Sequence, residues 1–402
     1  MKLFHLADLH LGKSLYERDL LEDQRYALAA VIEAAEAERP ACVVIAGDVF
    51  DRAVPPAEAV TLLGEFVSAV REASAGAVVA MIPGNHDSAA RLAFLAPVLA
   101  SAGVYVASAP ASCEVPVVIE KDGESARLWL LPFLTPGAFG RPEPAAAPAD
   151  EQGDLFGEEP APVLRSQADM FGEAMRRVGA AMAKARASGG LSADVLVCHA
   201  FAAGGSPSES ERAFIGTAEL VDGSAFEAFD YVALGHLHRP QAVGSKGRYP
   251  GSLLAYSFSE TGSERGFLSV DIGPGAAVAE FRPVRPLRRM VRVEGCFDEV
   301  LADESLDAYA GDYIEAVLDD ASAVLNPMDA LRRRFPFILS LRQAAFEQSG
   351  DTEGRGYADG RASVSVEDDF AAFYREMLER EPDPGEAALF AELREEAARE
   401  AP

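Results

Sequence analysis

The sequence has few cysteines, and their spacing gives no sign of a shared role. Cys42, Cys113, Cys198 and Cys296 lie at least 71 residues apart, and no CxxC pair occurs. Because zinc ribbons and disulfide frameworks need closely spaced or paired thiols, the sequence predicts neither. Reduced thiols and a cytoplasmic location are therefore expected.

Long apolar runs and a nucleotide-binding loop are also missing. No stretch approaches the roughly 20 apolar residues that a membrane span needs, and the N-terminal MKLFHLADLH is too polar for a secretory signal. No GxxxxGKS/T motif occurs, so any ATP dependence must come from a partner.

Basic residues are scarce relative to acidic ones. Lys and Arg number 36 against 64 Asp and Glu, which gives a formal net charge of −28. This balance argues against a basic nucleic-acid coat or a polybasic membrane binder. The hydrophobic fraction of 49% and the charged fraction of 25% are those of an ordinary globular protein.

The first 135 residues alternate short apolar runs with amphipathic stretches, which is typical of an α/β fold. The pattern predicts strands over 2–6, 42–46, 78–82, 127–132, 195–198 and 231–234, and helices over 23–39 and 56–73. Further along, it predicts strands over 313–317 and 337–341 and a helix over 327–334.

Changes in composition predict the domain organisation. We expect a catalytic domain over 1–281 and, within it, a disordered Pro-, Ala- and acid-rich insertion at 141–162. A small α/β capping domain over 282–345 is expected next, followed by a linker over 346–365 and C-terminal helices over 366–402.

The placement of the six histidines is the most informative feature. Five of them lie in or beside short polar motifs that end predicted strands, namely DxH at 8–10, GNHD at 84–87, CH at 198–199 and GHxH at 235–238, with GD at 47–48 as a further motif. Each motif alone is weak evidence for a metal site, because a histidine after a strand more often has a structural role than binds a metal. Because open α/β sheets place ligands beyond the carboxyl ends of their strands, these motifs are expected to converge on one crevice.

Together the motifs supply aspartate, asparagine and imidazole groups, a mixed N/O set that suits manganese, iron or zinc and not calcium. The lack of a thiolate disfavours a structural zinc. An aspartate can bridge two ions roughly 3.5–4 Å apart, and Asp48 is the natural bridge. Since such a pair binds phosphate oxygens and activates water, the sequence predicts hydrolysis of a phosphoester.

In their order along the chain, these motifs resemble the signature of the calcineurin-like metallophosphoesterase superfamily. The resemblance narrows to the nuclease subunits of bacterial SbcCD complexes, which are relatives of the Mre-type repair nucleases. It rests on HLADLHLGK at 5–13, AGDVFDRAVPP at 46–56, PGNHDS at 83–88, ALGHLHRPQ at 233–241 and YPGSLLAYSFSE at 249–260. It implies two β-sheets flanked by helices, a capping domain and a C-terminal helical hairpin. The implied activity is double-strand exonuclease and single-strand or hairpin endonuclease, with ATP dependence supplied by a partner.

The resemblance also implies a ligand set for two divalent ions, Mn²⁺ foremost, with Mg²⁺, Fe²⁺ and Zn²⁺ left open. One ion would be held by Asp8, His10, Asp48 and His238, and the other by Asp48, Asn85, His199 and His236.

A further group of residues is implied in catalysis. His86 is expected to protonate the leaving oxygen or position the scissile phosphate, with either Asp51 or Asp87 orienting its ring. Arg52 is either a phosphate contact or part of a surface ion pair. His5 has no place in the ligand set and is expected to be a packed, hydrogen-bonded histidine.

Partners are implied as well. The C-terminal stripe is expected to dock on an SbcC-like SMC-type ATPase, the alternative being a helix packed on its own domain; it comprises Phe370, Phe373, Tyr374, Met377 and Leu378. Five arginines within 282–292 are expected either to contact DNA phosphates or to lie on a solvated edge. A homodimer within a heterotetramer is implied, with 57–73 and 89–102 as candidate interface helices, although core packing would give the same apolar pattern.

Two other functions stay open at this point. Another dinuclear metallophosphoesterase, such as a phosphatase or a cyclic-nucleotide phosphodiesterase, would share the metal chemistry but would have no need for the arginine-rich stretch and the C-terminal helices. A non-catalytic scaffold that holds an ATPase on DNA would have no need for the full set of ligand motifs.

Overall fold

The structure is a computed structural model that describes residues 1–135, 137–139, 166–202, 204, 220–344, 382–383, 385–386 and 390. The predicted insertion at 141–162, the linker at 346–365 and the apolar stripe within 370–378 lie outside these residues. No helix in the described part of the chain is long and apolar enough to cross a membrane.

The described strands and helices follow one another through most of the chain. The strands are β1 (Lys2–Leu6), β2 (Ser14–Leu15), β3 (Arg18–Asp19), β4 (Cys42–Ala46), β5 (Val78–Ile82), β6 (Val104–Val106), β7 (Val117–Lys121), β8 (Glu124–Leu131), β9 (Ala193–His199), β10 (Phe201–Ala202), β11 (Leu220–Val221), β12 (Tyr231–Gly235), β13 (Gln241–Val243), β14 (Gly247–Tyr249), β15 (Gly266–Gly273), β16 (Ala276–Pro283), β17 (Met290–Gly295), β18 (Tyr313–Leu318) and β19 (Ile338–Gln343). The helices are α1 (Leu21–Glu38), α2 (Ala57–Ala73), α3 (Ala89–Leu92), α4 (Ala96–Ser101), α5 (Gln167–Ala187), α6 (Phe297–Ala302) and α7 (Pro327–Arg334).

Two six-stranded sheets form the main part of the fold. Their strand orders are β16-β15-β1-β4-β5-β6 and β13-β14-β12-β9-β8-β7. In the first sheet β1, β4, β5 and β6 are parallel, and β15 pairs antiparallel with β1 and β16. In the second sheet β8, β9, β12 and β14 are parallel. Strands covered on both faces consist of nearly continuous apolar residues, and β4, CVVIA, is wholly buried.

The two sheets pack face to face, and helices cover their outer faces. Leu3 and Val44 of the first sheet share a core with Val195 of the second. Because alternate residues of a strand point to opposite faces, Phe4 on β1 packs instead in a second core with Phe66 of α2. A third core joins α5 to the outer face of the second sheet. This α/β/β/α sandwich confirms the predicted fold.

Most of the predicted elements of the sandwich are present. β1, β4 and β5 have the predicted bounds, and α1 and α2 differ from theirs by at most two residues. The sequence analysis missed α5 and the β15–β16 hairpin. The start of α5 is marked by a capping box, in which the Ser166 hydroxyl accepts from the Asp169 amide and the Asp169 carboxylate accepts from the Ser166 amide.

The prediction of one helix over 89–102 is wrong. Leu95 adopts a left-handed conformation with φ of 63° and divides the segment into α3 and α4. Its side chain is about half exposed, and those of Phe94 and Val98 are more exposed still.

The chain divides into two compact units. Among the described residues, the first comprises those within 1–292, 305–315 and 332–340, and the second comprises those within 293–304 and 316–331 and those from 341 onward. β17, β18 and β19 form a three-stranded sheet in that order, and α7 has the predicted bounds. The domain boundary after residue 281 stays a prediction.

The arginine-rich stretch lies in the first unit, where most of its charge is paired within the protein. The ion pairs are Arg282 with Glu38, Arg288 with Glu22 and Asp23, Arg289 with Asp312, and Arg292 with Glu315. Arg285 is exposed. These pairs weaken the expectation that the whole stretch contacts DNA phosphates.

Candidate metal centre

The polar motifs follow the carboxyl ends of five central strands and meet in one crevice between the sheets. Asp8, Asp48 and Asn85 come after β1, β4 and β5 of the first sheet, whereas His199 ends β9 of the second sheet and His236 follows β12. Loop-to-loop hydrogen bonds hold the motifs together. The Asp8 amide donates to the Gly47 carbonyl at 3.0 Å, and the His236 amide donates to Asp8 Oδ1 at 3.0 Å.

Several of these residues have unusual backbone conformations. Asp8, His10, Asp48 and His236 have φ values of 54°, 43°, 48° and 111°. A positive φ is uncommon outside glycine, and it persists only where the surrounding structure enforces it. The backbone therefore turns sharply at each motif, which aims the polar side chains into the crevice.

Three overlapping groups of side chains have ligand atoms within 4.8 Å of one another. In two of them every residue is buried, namely Asp8, His10 and His238, and Asp8, Asp48 and His199; the third comprises His10, Asp51 and His86. His10 Nε2 lies 3.1 Å from His238 Nε2. Asn85 extends the second group, since its Oδ1 lies 2.9 Å from His199 Nε2 and 3.2 Å from His236 Nδ1.

Asp48 belongs to the second buried group and also approaches the first. Its Oδ2 atom is 3.6 Å from His10 Nε2 and 3.6 Å from His199 Nε2, and its Oδ1 accepts a hydrogen bond from the His86 amide at 3.0 Å. Burial opposes ionisation of this carboxyl, but the His199 and His10 rings hold its pKa below the usual range. An ionised carboxylate is thus available to both groups.

Burial disfavours the charged forms of three of the imidazoles. Burial lowers the pKa of His236 to about 3, and it also lowers the pKa values of His10 and His199. The Nδ1 atom of His199 donates to the Ala46 carbonyl at 2.9 Å, so its Nε2 keeps a lone pair. Neutral imidazoles are the form in which histidine binds metals.

The donor set fits a pair of divalent cations. Carboxylate oxygens, an amide oxygen and imidazole nitrogens crowd together here. A mixed N/O set of this kind is typical of transition-metal sites.

Small residues allow the close approach of these loops. A Cβ atom on Gly84 would lie 2.1 Å from Asp48 Oδ1, and one on Gly47, where φ is 92°, would lie 2.2 Å from His199 Nδ1. Neither distance is sterically allowed. Glycine is therefore required at both positions for the ligand atoms to meet.

His86 lies beside the two groups, with its ring centroid 4.8 Å from that of His10. Its Nδ1 lies 2.8 Å from the backbone carbonyl of Asp51. A main-chain oxygen makes this contact, and the orientation of the ring by the carboxylate of Asp51 or Asp87 stays a prediction. The Asp87 carboxylate accepts from the amides of Val49, Phe50 and Gly84, which ties two of the loops together.

The other predicted residues have simpler surroundings. The Asp51 carboxylate pairs with Lys13 at 2.6 Å, and the largely exposed Arg52 lies 3.8 Å from it in a loose ion pair. His5 is buried within β1, with its ring nitrogens 2.9 Å from the Tyr231 hydroxyl and 3.1 Å from the Leu234 carbonyl. Its structural role is as predicted.

The sequence analysis missed supporting residues near the centre. Gln24 of α1 donates to the His10 carbonyl at 2.7 Å and accepts from the Gly12 amide at 3.0 Å, which fixes the first loop. The hydroxyl of Tyr256 donates to the Leu9 carbonyl in the same loop. Glu260 lies 3.0 Å from His238. Tyr256 and Glu260 both lie in the motif YPGSLLAYSFSE at 249–260. The sequence analysis identified this motif but assigned no role to either residue.

The comparisons with known proteins agree with this geometry. A family model described as calcineurin-like phosphoesterase matches residues 1–161, and one described as type 5 capsule protein repressor C-terminal domain matches residues 286–377. The two-sheet sandwich and the convergent ligand groups thus define a calcineurin-like metallophosphoesterase, a class that uses a dinuclear metal centre.

Relatives that match most of the chain identify the family within this class. The SbcD subunit of the nuclease SbcCD from Staphylococcus epidermidis is 31% identical over 352 residues, which is 87% of each chain. The protein of the same name from Staphylococcus saprophyticus is 32% identical over 349 residues, or 86% of each chain. The chain belongs to the SbcD family of metal-dependent nuclease subunits.

Proposed function

We propose that this chain is the nuclease subunit of an SbcCD-type complex and hydrolyses DNA phosphodiesters at a two-metal centre. The observation that carries the proposal is the position of Asp48 Oδ2, 3.6 Å from an imidazole nitrogen of each ligand group. A carboxylate placed in this way is suited to bridge two cations.

In this proposal, one ion is held by Asp8, His10, Asp48 and His238, and the other by Asp48, Asn85, His199 and His236. Mn²⁺ is the proposed ion, because the mixed N/O donors suit it and no thiolate is present to favour zinc. When bound, such a pair polarises a phosphate oxygen and activates water for in-line attack.

His86 is the proposed acid. The carbonyl of Asp51 accepts from Nδ1, so Nε2 is the position from which a proton is exchanged with the leaving oxygen. Among the described residues, the exposed guanidinium of Arg52 forms a loose ion pair with Asp51, and it is therefore available for a second phosphate oxygen.

DNA is the proposed substrate, with double-strand exonuclease and hairpin endonuclease activity. The decisive experiment incubates the purified protein and Mn²⁺ with linear duplex DNA, a DNA hairpin and p-nitrophenyl phosphate. We expect cleavage of the DNA substrates, and none by the matched Asp48→Asn variant. Hydrolysis of the phosphomonoester alone would reject the nuclease in favour of a phosphatase. Bound metal without any cleavage would favour a scaffold.

The proposed ATP-dependent partner is an SbcC-like SMC-type ATPase that binds the C-terminal helices over 366–402. The relatives are named as parts of SbcCD, and the apolar residues at 370, 373, 374, 377 and 378 have the spacing of one helical stripe. Co-purification with the coiled-coil ATPase should succeed for the full chain and fail for a chain ending at residue 365. Equal recovery of both chains would refute this interface.

A homodimer is proposed through α2 and the α3–α4 segment. Val60, Phe94, Leu95 and Val98 expose about half or more of their surface there, beside a groove of about 1160 Å³. Exposed apolar groups in this number are typical of interaction surfaces. Light scattering should show that Phe94→Glu yields monomers, whereas the control Val278→Glu, which alters another exposed apolar residue on β16, should stay dimeric. A monomeric wild-type chain would contradict the proposal.

A further inference from the structure

Glu260 is an unusual residue to find beside the candidate metal centre. It ends a 3-10 turn at Phe258–Glu260, and its side chain is completely buried. Its Oε1 atom lies 3.0 Å from Nδ1 of His238, on the side of the ring opposite to the ligand group. A buried carboxylate is costly unless it is well paired, so a specific reason is needed for its position.

The carboxylate is held from its other side by a defined set of donors. Oε2 accepts from the Tyr256 amide at 3.0 Å and lies 3.2 Å from Nη2 of the buried Arg265. Arg265 also donates to the backbone carbonyls of Glu260 and His238 and to the hydroxyl of Ser252. The contacts form a closed ring from the His238 imidazole through Glu260 and Arg265 to the His238 main chain.

These hydrogen bonds fix both the tautomer and the orientation of the His238 imidazole. A carboxylate paired with an arginine only accepts hydrogen bonds, so Nδ1 of His238 must carry the proton. Nε2 then keeps its lone pair, and it faces His10 Nε2 at 3.1 Å within the group that includes Asp8. Carboxylate–histidine–metal arrangements of this kind orient the ring and raise its basicity as a ligand.

We propose that Glu260, locked by Arg265, is a positioning residue that orients His238 for one of the two metal ions. The inference rests on the proposed function, since it takes His238 as a ligand. It also predicts an asymmetry between the two metal positions. His199 is oriented by the neutral carbonyl of Ala46, whereas His238 is oriented by a charged carboxylate, so loss of Glu260 should weaken one position and spare the other.

The test is metal binding measured without any activity assay. Mn²⁺ is titrated calorimetrically into the wild-type chain, Glu260→Gln, Glu260→Asp and the control Glu264→Gln, which alters an exposed carboxylate of the same segment. We expect Glu260→Gln to bind one ion about 10- to 100-fold more weakly and the other normally. Glu260→Asp should recover part of the loss, and Glu264→Gln should match the wild type.

The outcomes separate this inference from the function on which it rests. The positioning role would be overturned if Glu260→Gln bound both ions as tightly as the wild type does. It would also be overturned if the variant bound both ions equally weakly and the melting temperature of the metal-free protein fell sharply. A wild-type chain that binds fewer than two ions would instead reject the dinuclear centre.

A second measurement needs no variant to fold. Long-range ¹H–¹⁵N spectra of the metal-free, ¹⁵N-histidine-labelled wild-type chain report which ring nitrogen carries the proton. We expect His238 to be protonated at Nδ1. Protonation at Nε2 alone would refute the inference.

Discussion

Replacement of His86 by alanine should separate metal binding from catalysis. The backbone amide of His86 donates to Asp48 Oδ1 at 3.0 Å, and this bond survives the substitution. The imidazole itself is fixed by the Asp51 carbonyl at 2.8 Å and lies outside both proposed ligand sets. We therefore expect His86→Ala to keep two metal ions per chain.

Catalysis should fall steeply in the same variant. A positioned general acid contributes about 10²- to 10⁴-fold to a rate, which corresponds to about 3–5 kcal/mol of transition-state stabilisation. The loss should appear in kcat with little change in KM, because the ring acts on the leaving oxygen rather than on remote parts of the DNA. Arg52→Ala is the matched control, since it should raise KM by removing an exposed phosphate contact.

The assay measures steady-state cleavage of a fluorescent DNA hairpin over a range of hairpin concentrations at saturating Mn²⁺, with metal content measured by mass spectrometry of the same preparations. Unchanged cleavage by His86→Ala would refute the acid. Loss of one metal ion together with activity would refute it in another way, because His86 would then be a ligand. His10, Asp51 and His86 do lie close enough together to hold an ion, so this control is essential.

Three further predictions concern the rest of the chain. In Gly84→Ala, a Cβ 2.1 Å from Asp48 Oδ1 must displace that carboxylate, so mass spectrometry should show fewer than two bound metal ions; full occupancy would show that the loop relaxes freely. With a net charge of −28, the isolated chain should bind DNA weakly, and fluorescence anisotropy should show an affinity that falls steeply with added salt; tight binding that ignores salt would contradict this. Hydrogen bonding to Arg282 lowers the pKa of Glu38 to about 2 from 4.5, so its contribution to stability, of about 1–2 kcal/mol, is complete above pH 4.5 and is lost as the pH falls toward 2. Urea unfolding of Glu38→Gln should therefore show a deficit at pH 7 that shrinks below pH 4.5, and a constant deficit would refute the assignment.

The central strands and the convergence of the motifs could be predicted because both depend on local information. Runs such as CVVIA in β4 identify buried strands, and the carboxyl ends of parallel strands lie at the same edge of a sheet. Asp8, Asp48 and Asn85 follow such strands directly. Their proximity was therefore predictable from their positions in the sequence.

Features that depend on closure of the whole fold were not predictable in this way. β15 pairs with β1 so that Asp271 lies opposite Lys2, and nothing local in either segment specifies that partner. The break at Leu95 was unpredictable for the same reason. Its φ of 63° is unfavourable for leucine and is imposed by the surrounding structure. Glu260 resembles a surface residue in the sequence and becomes buried only when its loop closes over His238.

The orientation of His86 shows that a prediction from sequence considers side-chain partners and misses partners in the main chain. Asp51 and Asp87 were both reasonable partners, because each is a carboxylate close in sequence to a site motif. In the structure, Asp51 contributes its carbonyl oxygen, which any residue at that position would also supply. Asp87 uses its carboxylate on three amides, and so holds the loop that carries this carbonyl near the loop that carries the ring. The position of the imidazole therefore depends on how two loops are joined, and the identity of no single residue determines it.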